Sequence, residues 1–286
     1  MALISEEVQA QNLTLGAVVD KLVEVILKRA HAGKKYGIAL VPEGLPEFIP
    51  EIKTLIFELR KILVDNNYAG LEHLENLRSH EERIHYLNKR LTDHSARVYG
   101  QLPTEIQEVL LKLDDHDNVP LSQVETERLL IDMVSDRLRD LHPDKEKLGD
   151  IFSPLSHFLG YEGRCGAPSN FDADYGYALG YTAAQLIRAG LTSYTAHVRN
   201  LARPVAEWVA GGTPITALMN IEMRGRPKPV VRKSLVDLQG KPFKIFAAQR
   251  ETWAREDAYV FPGPIQYFGP PEICDAATIT LQSEWS

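Results

Sequence analysis

A chain of 286 residues with 44% hydrophobic and 25% charged residues can bury one large core or two of ordinary size without metal or disulfide help. Its formal net charge of −7 argues against nucleic acid or an anionic membrane as main partner, because both attract basic surfaces. The two cysteines, Cys165 and Cys274, stand far apart in no metal-ligand spacing, which indicates no disulfide framework and fits a reducing cytoplasm.

The opening residues lack a basic region followed by an apolar stretch, so no signal peptide is expected. No apolar run approaches the roughly 18 residues of a membrane span. Leu15, Val18, Val19, Leu22, Val25 and Ile26 recur at helical spacing. Asn12 or Thr14 can cap that helix, and Gly33 can end it. Tyr36-Gly37-Ile38-Ala39-Leu40-Val41 is short and nearly all apolar, which predicts a parallel strand buried on both faces. Pro42-Glu43-Gly44 breaks it. Pro50 then suits a first helical turn, and Ile52, Leu55, Ile56, Leu59, Ile62 and Leu63 continue an amphipathic helix. Helix, strand, loop and helix over residues 1–67 read as a piece of a doubly wound α/β domain.

Residues 68–150 are rich in Glu, Arg, Lys, Leu and His, and predict a largely α-helical insertion with helices over about 71–98 and 121–141. Its mixed charge reads as a solvated face. Residues 151–286 return to an α/β pattern. Asp172 or Asp174 can cap a helix over about 175–188 that Gly190 ends. Thr192–Val198 alternates as a strand does. A further helix is expected from about Phe243 to Arg255.

Two suggestive patterns fail. His80 and His85 lie about 140° apart around a helix, too far to share a metal. Gly211-Gly212-Thr213 lacks the glycine, lysine and hydroxyl spacing of a phosphate loop.

Two segments carry chemistry. Glu43, directly after the apolar run, falls at the carboxyl edge of a sheet, where open α/β folds bind ligands. A carboxylate there accepts hydrogen bonds from sugar hydroxyls. Position alone fits a plain βα turn with a solvated Glu better than a ligand contact. In Gly160-Tyr161-Glu162-Gly163-Arg164-Cys165-Gly166, flanking glycines favour a tight loop that projects Arg164. A guanidinium matches phosphate oxygens, and each such bond contributes about 1.5–3 kcal/mol. The alternative is a structural pair with Glu162 or Asp172.

Val41-Pro42-Glu43-Gly44-Leu45, the following Glu47-Phe48-Ile49-Pro50-Glu51, and Gly160–Gly166 with Pro168-Ser169-Asn170-Phe171-Asp172 resemble the carboxyl-terminal half of long-form pyrophosphate-dependent phosphofructokinase. Ile4-Ser5-Glu6-Glu7-Val8, Tyr177-Ala178-Leu179-Gly180-Tyr181, Pro204–Trp208 and Pro262–Gln266 add to the resemblance. It implies part of a doubly wound phosphofructokinase-type fold and a reaction moving phosphate from pyrophosphate to fructose 6-phosphate with Mg²⁺, in the glycolytic direction or its reverse. It implies that Glu43 receives the fructose hydroxyls, and that Tyr161, Glu162, Gly163 and Arg164 enclose the sugar phosphate. The family's Gly-rich donor loop, Gly-Gly-Asp stretch and catalytic Asp do not occur in this sequence. The chain alone is therefore expected to be inactive, with no metal site of its own. Its expected partners are fructose 6-phosphate and either a missing amino-terminal half or a homo-oligomer partner. The competing expectation is a non-catalytic regulatory or assembly subunit that binds sugar phosphate.

Overall fold

The computed structural model describes residues 1–114, 119, 124–141, 151–160, 169–224, 226–231, 234–258, 270, 281 and 283. The chain combines helices and short strands and divides into two compact units. The first takes Met1–Phe158 with Gln249–Asp257, and the second takes Leu159–Ala248 with Ala258–Ser286.

The first unit is helical. α1 spans Ser5–Ala10 and α2 spans Leu15–His31. Of the two residues expected to cap α2, Thr14 does so, its hydroxyl accepting from Ala17 N at 3.1 Å. Gly33 leaves the helix with φ 76°, a conformation that costs a residue without Cβ little. α3 runs Pro50–Asn76 with proline in its first turn, as the fixed φ of that residue favours.

The helix expected over about 71–98 is instead the end of α3, then α4 over His80–Asn88, then α5 over Asp93–Gln101. The breaks have a local cause. Ser79 forms a capping box with Glu82, and Thr92 caps α5 by accepting from Ser95 N, so each residue starts a new helix rather than continuing an old one. α6 covers Thr104–Leu110 and α7 Thr126–Leu141. The sequence also predicts a turn near Asp114–Asn118, of which Asp115–Asn118 lies outside the described residues. α3 packs on α5 and α2 on α7. Between them Val18, Leu55, Leu59, Leu63, Leu87, Tyr99, Leu110 and Leu138 lie at 2% exposure or less, one continuous apolar core.

Among the described residues the second unit contains α8, Asn170–Arg188, and four strands. Neither Asp172 nor Asp174 caps α8. Ser169 does, and Asp172 closes the box from the third helical position. Gly190, at φ 72°, follows its end. β1, Tyr194–Arg199, starts two residues after the expected strand and pairs antiparallel with β2, Val209–Pro214. β3, Met219–Arg224, pairs with β4, Arg226–Val231, as a separate two-stranded sheet. α8 lies across β1 and β2. Gly211 and Gly212 serve that packing rather than a phosphate. A Cβ on Gly212 would fall 2.6 Å from Leu186 Cδ2, and one on Gly211 2.7 Å from His197 Cε1. α9, Lys241–Arg255, belongs partly to each unit.

The strand expected at Tyr36–Val41 is the main departure. The segment makes a single parallel bridge, Ala2 to Leu40, and Tyr36, Ile38 and Leu40 are 54–59% exposed rather than buried on both faces. The physical reason is a shortage of neighbours. A buried parallel strand needs strands on both edges and helices over both faces, and among the described residues only Met1–Leu3 lies alongside.

Candidate functional site

The exposed segment leads directly into the turn that carries Glu43. Both ends of this stretch are held. Leu40 N donates to Met1 O at 2.9 Å, Leu3 N donates to Leu40 O at 3.0 Å, and the Met1 amino group donates to Ile38 O at 2.7 Å. At the start, buried Arg29 donates through Nε to Tyr36 O at 2.8 Å. Its two other nitrogens reach Ala254 O and Arg255 O, at 3.3 and 3.1 Å, and Asp257 Oδ1 at 2.9 Å. Tyr36 Oη donates to Asp257 Oδ2 at 2.5 Å, and Lys34 Nζ lies 3.3 Å from the same oxygen. The Tyr36 hydroxyl, then the Arg29 guanidinium and Lys34, hold the Asp257 carboxyl down at about 2.

This cluster joins residues more than 220 positions apart, and no local pattern announces it. Its arginine also satisfies the last carbonyls of α9, which a helix otherwise leaves unpaired.

On the far side of the segment, Leu45 N donates to Pro42 O and Glu47 N to Gly44 O, each at 3.1 Å. The hydroxyl of buried Thr126 donates to Glu43 O at 3.1 Å. Leu45 and Ile49, at 0% and 1% exposure, root the turn in the core below. The backbone of Glu43 is thus fixed from beneath while the residue itself is exposed. A carboxylate presented on a rigid turn can accept hydrogen bonds from hydroxyls. Nearby Glu51 serves the fold. Its carboxylate accepts Leu15 N at 2.7 Å, completing the start of α2.

A cavity of about 10 Å³ lies under the turn, lined by apolar side chains such as Leu45, Ile49, Val124 and Leu129 with Thr126. It is no larger than one water and is no substrate pocket.

Tyr161, Glu162, Gly163 and Arg164 lie outside the described residues. The element that follows them is defined. Asp172 accepts from Ser169 N at 2.8 Å and Ser169 Oγ at 3.0 Å, so one of the two carboxylates considered as structural partners of Arg164 already serves the start of α8. Among the described residues no group of three His, Cys, Asp or Glu side chains is placed to hold a metal ion, and no helix is long and apolar enough to cross a membrane.

No family model matches the chain. Curated proteins do. A pyrophosphate–fructose 6-phosphate 1-phosphotransferase of Treponema pallidum is 46% identical over 99% of this chain and 49% of its own length. One of Porphyromonas gingivalis is 43% identical over 99% and 51%. The subunit beta 1 of the enzyme of that name in Arabidopsis thaliana is 46% identical over 99% and 48%. The chain therefore spans about half the length of the curated relatives it matches, and that half is the carboxyl-terminal one.

Proposed function

We propose that this chain, similar over 99% of its length to the carboxyl-terminal half of pyrophosphate–fructose 6-phosphate 1-phosphotransferases, is the sugar-phosphate-holding part of an enzyme that moves phosphate from pyrophosphate to fructose 6-phosphate. The observation that supports this most strongly is identity of 39–46% maintained over 99% of the chain.

In this reading Glu43 receives the fructose hydroxyls from its fixed turn. Tyr161, Glu162, Gly163 and Arg164 surround the 6-phosphate, with the Arg164 fork matching two phosphate oxygens. Tyr36–Val41 is one strand of a doubly wound phosphofructokinase-type sheet, and residues 68–150 form the helical insertion between 1–67 and 151–286. Phosphoryl transfer needs charge neutralisation and a base as well as positioning. We assign those roles, and the Mg²⁺, to the half of the relatives' length that this chain does not match. The complete enzyme is proposed to act in the cytoplasm.

The test is titration of the purified chain with fructose 6-phosphate by calorimetry. Binding is expected, with Arg164→Ala weakening it by about 10- to 150-fold, the equivalent of about 1.5–3 kcal/mol. The chain alone is expected to transfer no phosphate from pyrophosphate. Binding that Arg164→Ala and Glu43→Gln both leave unchanged, or turnover by the chain alone, overturns the reading.

A further inference from the structure

The turn that carries Glu43 is stitched within itself by short-range bonds, Leu45 N to Pro42 O and Glu47 N to Gly44 O. Those bonds give the turn its shape and move with it. A different bond ties it to another element. The Thr126 hydroxyl donates to Glu43 O at 3.1 Å, across 83 positions of sequence. Thr126 is the first residue of α7 and is 3% exposed.

A buried hydroxyl needs a partner wherever it lies, so burial alone does not explain its choice of acceptor. Val124 O lies 3.4 Å from the same hydroxyl and offers a local partner, yet the shorter bond goes to Glu43. Among the described residues lining the small cavity under the turn, Thr126 alone carries a polar side chain, set among leucine, isoleucine, valine and proline. A hydrogen bond in so apolar a setting is electrostatically strong. The carbonyl carbon it holds is bonded to the Cα that bears the Glu43 side chain, so fixing the one aims the other.

We propose that Thr126 is a positioning residue for the sugar contact. Its hydroxyl holds the Glu43 backbone so that the exposed carboxylate meets the fructose hydroxyls, and it couples α7, in the proposed helical insertion, to sugar binding. This rests on the reading of Glu43 as the residue that receives those hydroxyls. Polar contacts to a ligand weaken steeply when the group that makes them is displaced. Coupling is also reciprocal, so a sugar that holds Glu43 in place steadies the start of α7.

Calorimetric titration of the full chain with fructose 6-phosphate tests both directions of the coupling. Thr126→Val keeps the volume and removes the hydroxyl, and is expected to weaken binding by about five- to tenfold. Thr126→Ser keeps the hydroxyl, and is expected to bind within about twofold of the unsubstituted chain. Arg137→Ala cuts another tie of α7, the pair with Asp20 at 2.9 Å, about three turns further along the helix. It is expected to leave affinity unchanged. In a Glu43→Ala background, Thr126→Val is expected to add less than about twofold, because it acts through Glu43. Urea unfolding establishes that each variant is folded under the titration conditions. A Thr126→Val chain that is less stable but binds as before marks a plain core residue and overturns the proposal. So does an equal loss on Thr126→Ser, or an undiminished effect in the Glu43→Ala background.

Hydrogen exchange needs the unsubstituted chain alone. Saturating fructose 6-phosphate is expected to slow the Leu129 amide, which donates to Glu125 O at 3.0 Å near the start of α7, by about fivefold, and to leave the Arg137 amide unchanged. Unaltered exchange at Leu129 with sugar bound overturns the proposal even where Thr126→Val does not fold. Absence of binding by the unsubstituted chain overturns the sugar-phosphate reading and this inference with it. Binding that Glu43→Ala weakens and Thr126→Val does not overturns this inference and leaves that reading standing.

Discussion

The two units of the chain are built to different standards of closure. In the first, leucines from α2, α3, α4, α6 and α7 meet in one core with several side chains fully buried. In the second, Phe171 and Val198 are the apolar side chains buried among the described residues, while Tyr177, Tyr181, Ile187 and Ile221 are 59–76% exposed. Helices close their backbone hydrogen bonds internally and need only a facing stripe of apolar surface. Two-stranded sheets leave edges open and are marginal alone. The first unit therefore carries the chain's own stability. The second holds its shape through local pairing and ring contacts such as Phe171 against Trp208 at 5.7 Å.

Core truncation separates the units most strongly. Leu59 is 0% exposed in α3, and Leu59→Ala is expected to cost about 3–5 kcal/mol, from lost burial and the cavity left behind. Ile221 is 64% exposed in β3, and Ile221→Ala is expected to fall within about 0.5 kcal/mol. Urea unfolding measures both. Equal losses at the two sites break the contrast.

Next in size is the clamp at the end of α9. Arg29→Ala strands the carbonyls of Tyr36, Ala254 and Arg255 in a partly buried setting, with an expected cost of about 3 kcal/mol. The same cluster predicts an acid dependence. Asp257 is held down at about 2 in the folded chain, below the unfolded aspartate value of about 3.9. A depressed carboxyl stabilises the fold fully above the unfolded value, and that contribution fades as pH falls through about 2. The melting temperatures of wild type and Asp257→Asn should therefore differ at neutral pH and converge between about pH 4 and pH 2. A difference that stays constant through that window assigns the effect to packing instead.

Glycine replacement sharpens the comparison further. A Cβ on Gly70 would fall 1.9 Å from the carbonyl oxygen of Ile62, a backbone atom beside the left-handed turn at Tyr68, φ 65°. Backbone inside a packed unit does not yield, so Gly70→Ala is expected to cost about 2 kcal/mol despite alanine's better helix propensity. A Cβ on Gly212 meets the end of the Leu186 side chain instead, which is half-buried and can turn aside. Gly212→Ala is expected to cost less than about 1 kcal/mol. A larger loss at Gly212 than at Gly70 shows the second unit to be the tighter one.

These contrasts also explain what could be read in the sequence. α2, the start of α3 and α9 were legible because periodicity and end signals such as Thr14, Gly33 and Pro50 act within a few residues. The Ser79 and Thr92 breaks were legible in principle from Ser79-x-x-Glu82 and a threonine before Asp93, signals that a run of good helix formers obscures. The exposure of Tyr36, Ile38 and Leu40 was not legible. An apolar run specifies that a strand wants neighbours, and says nothing of whether the same stretch of chain provides them. At the candidate site, Glu43 follows an extended segment that is exposed and bridged once, rather than the buried strand its apolar run predicts. The anchors that fix it, Arg29 with Asp257 below the segment and Thr126 below the turn, come from distant positions that only the fold joins. The Tyr161–Arg164 loop remains a reading from its residues and its family.

The capping boxes give the smallest and most discriminating comparison, because the same motif occurs once in each unit. Ser79 with Glu82 starts α4, and Ser169 with Asp172 starts α8. Removing either serine hydroxyl leaves an orphan amide, with a local cost of about 1 kcal/mol in each case. α4 contributes Leu87, at 0% exposure, to the shared core, so Ser79→Ala is expected to lower the global unfolding free energy by that whole amount. α8 opens beside strands that bury little, so Ser169→Ala is expected to accelerate hydrogen exchange in the first turn of α8 while leaving the main urea transition unmoved. The distinction is between global and sub-global opening, which exchange and denaturation report separately. If Ser169→Ala shifts the main transition as far as Ser79→Ala does, the two units unfold as one, and the second draws on a core that its exposed side chains do not reveal.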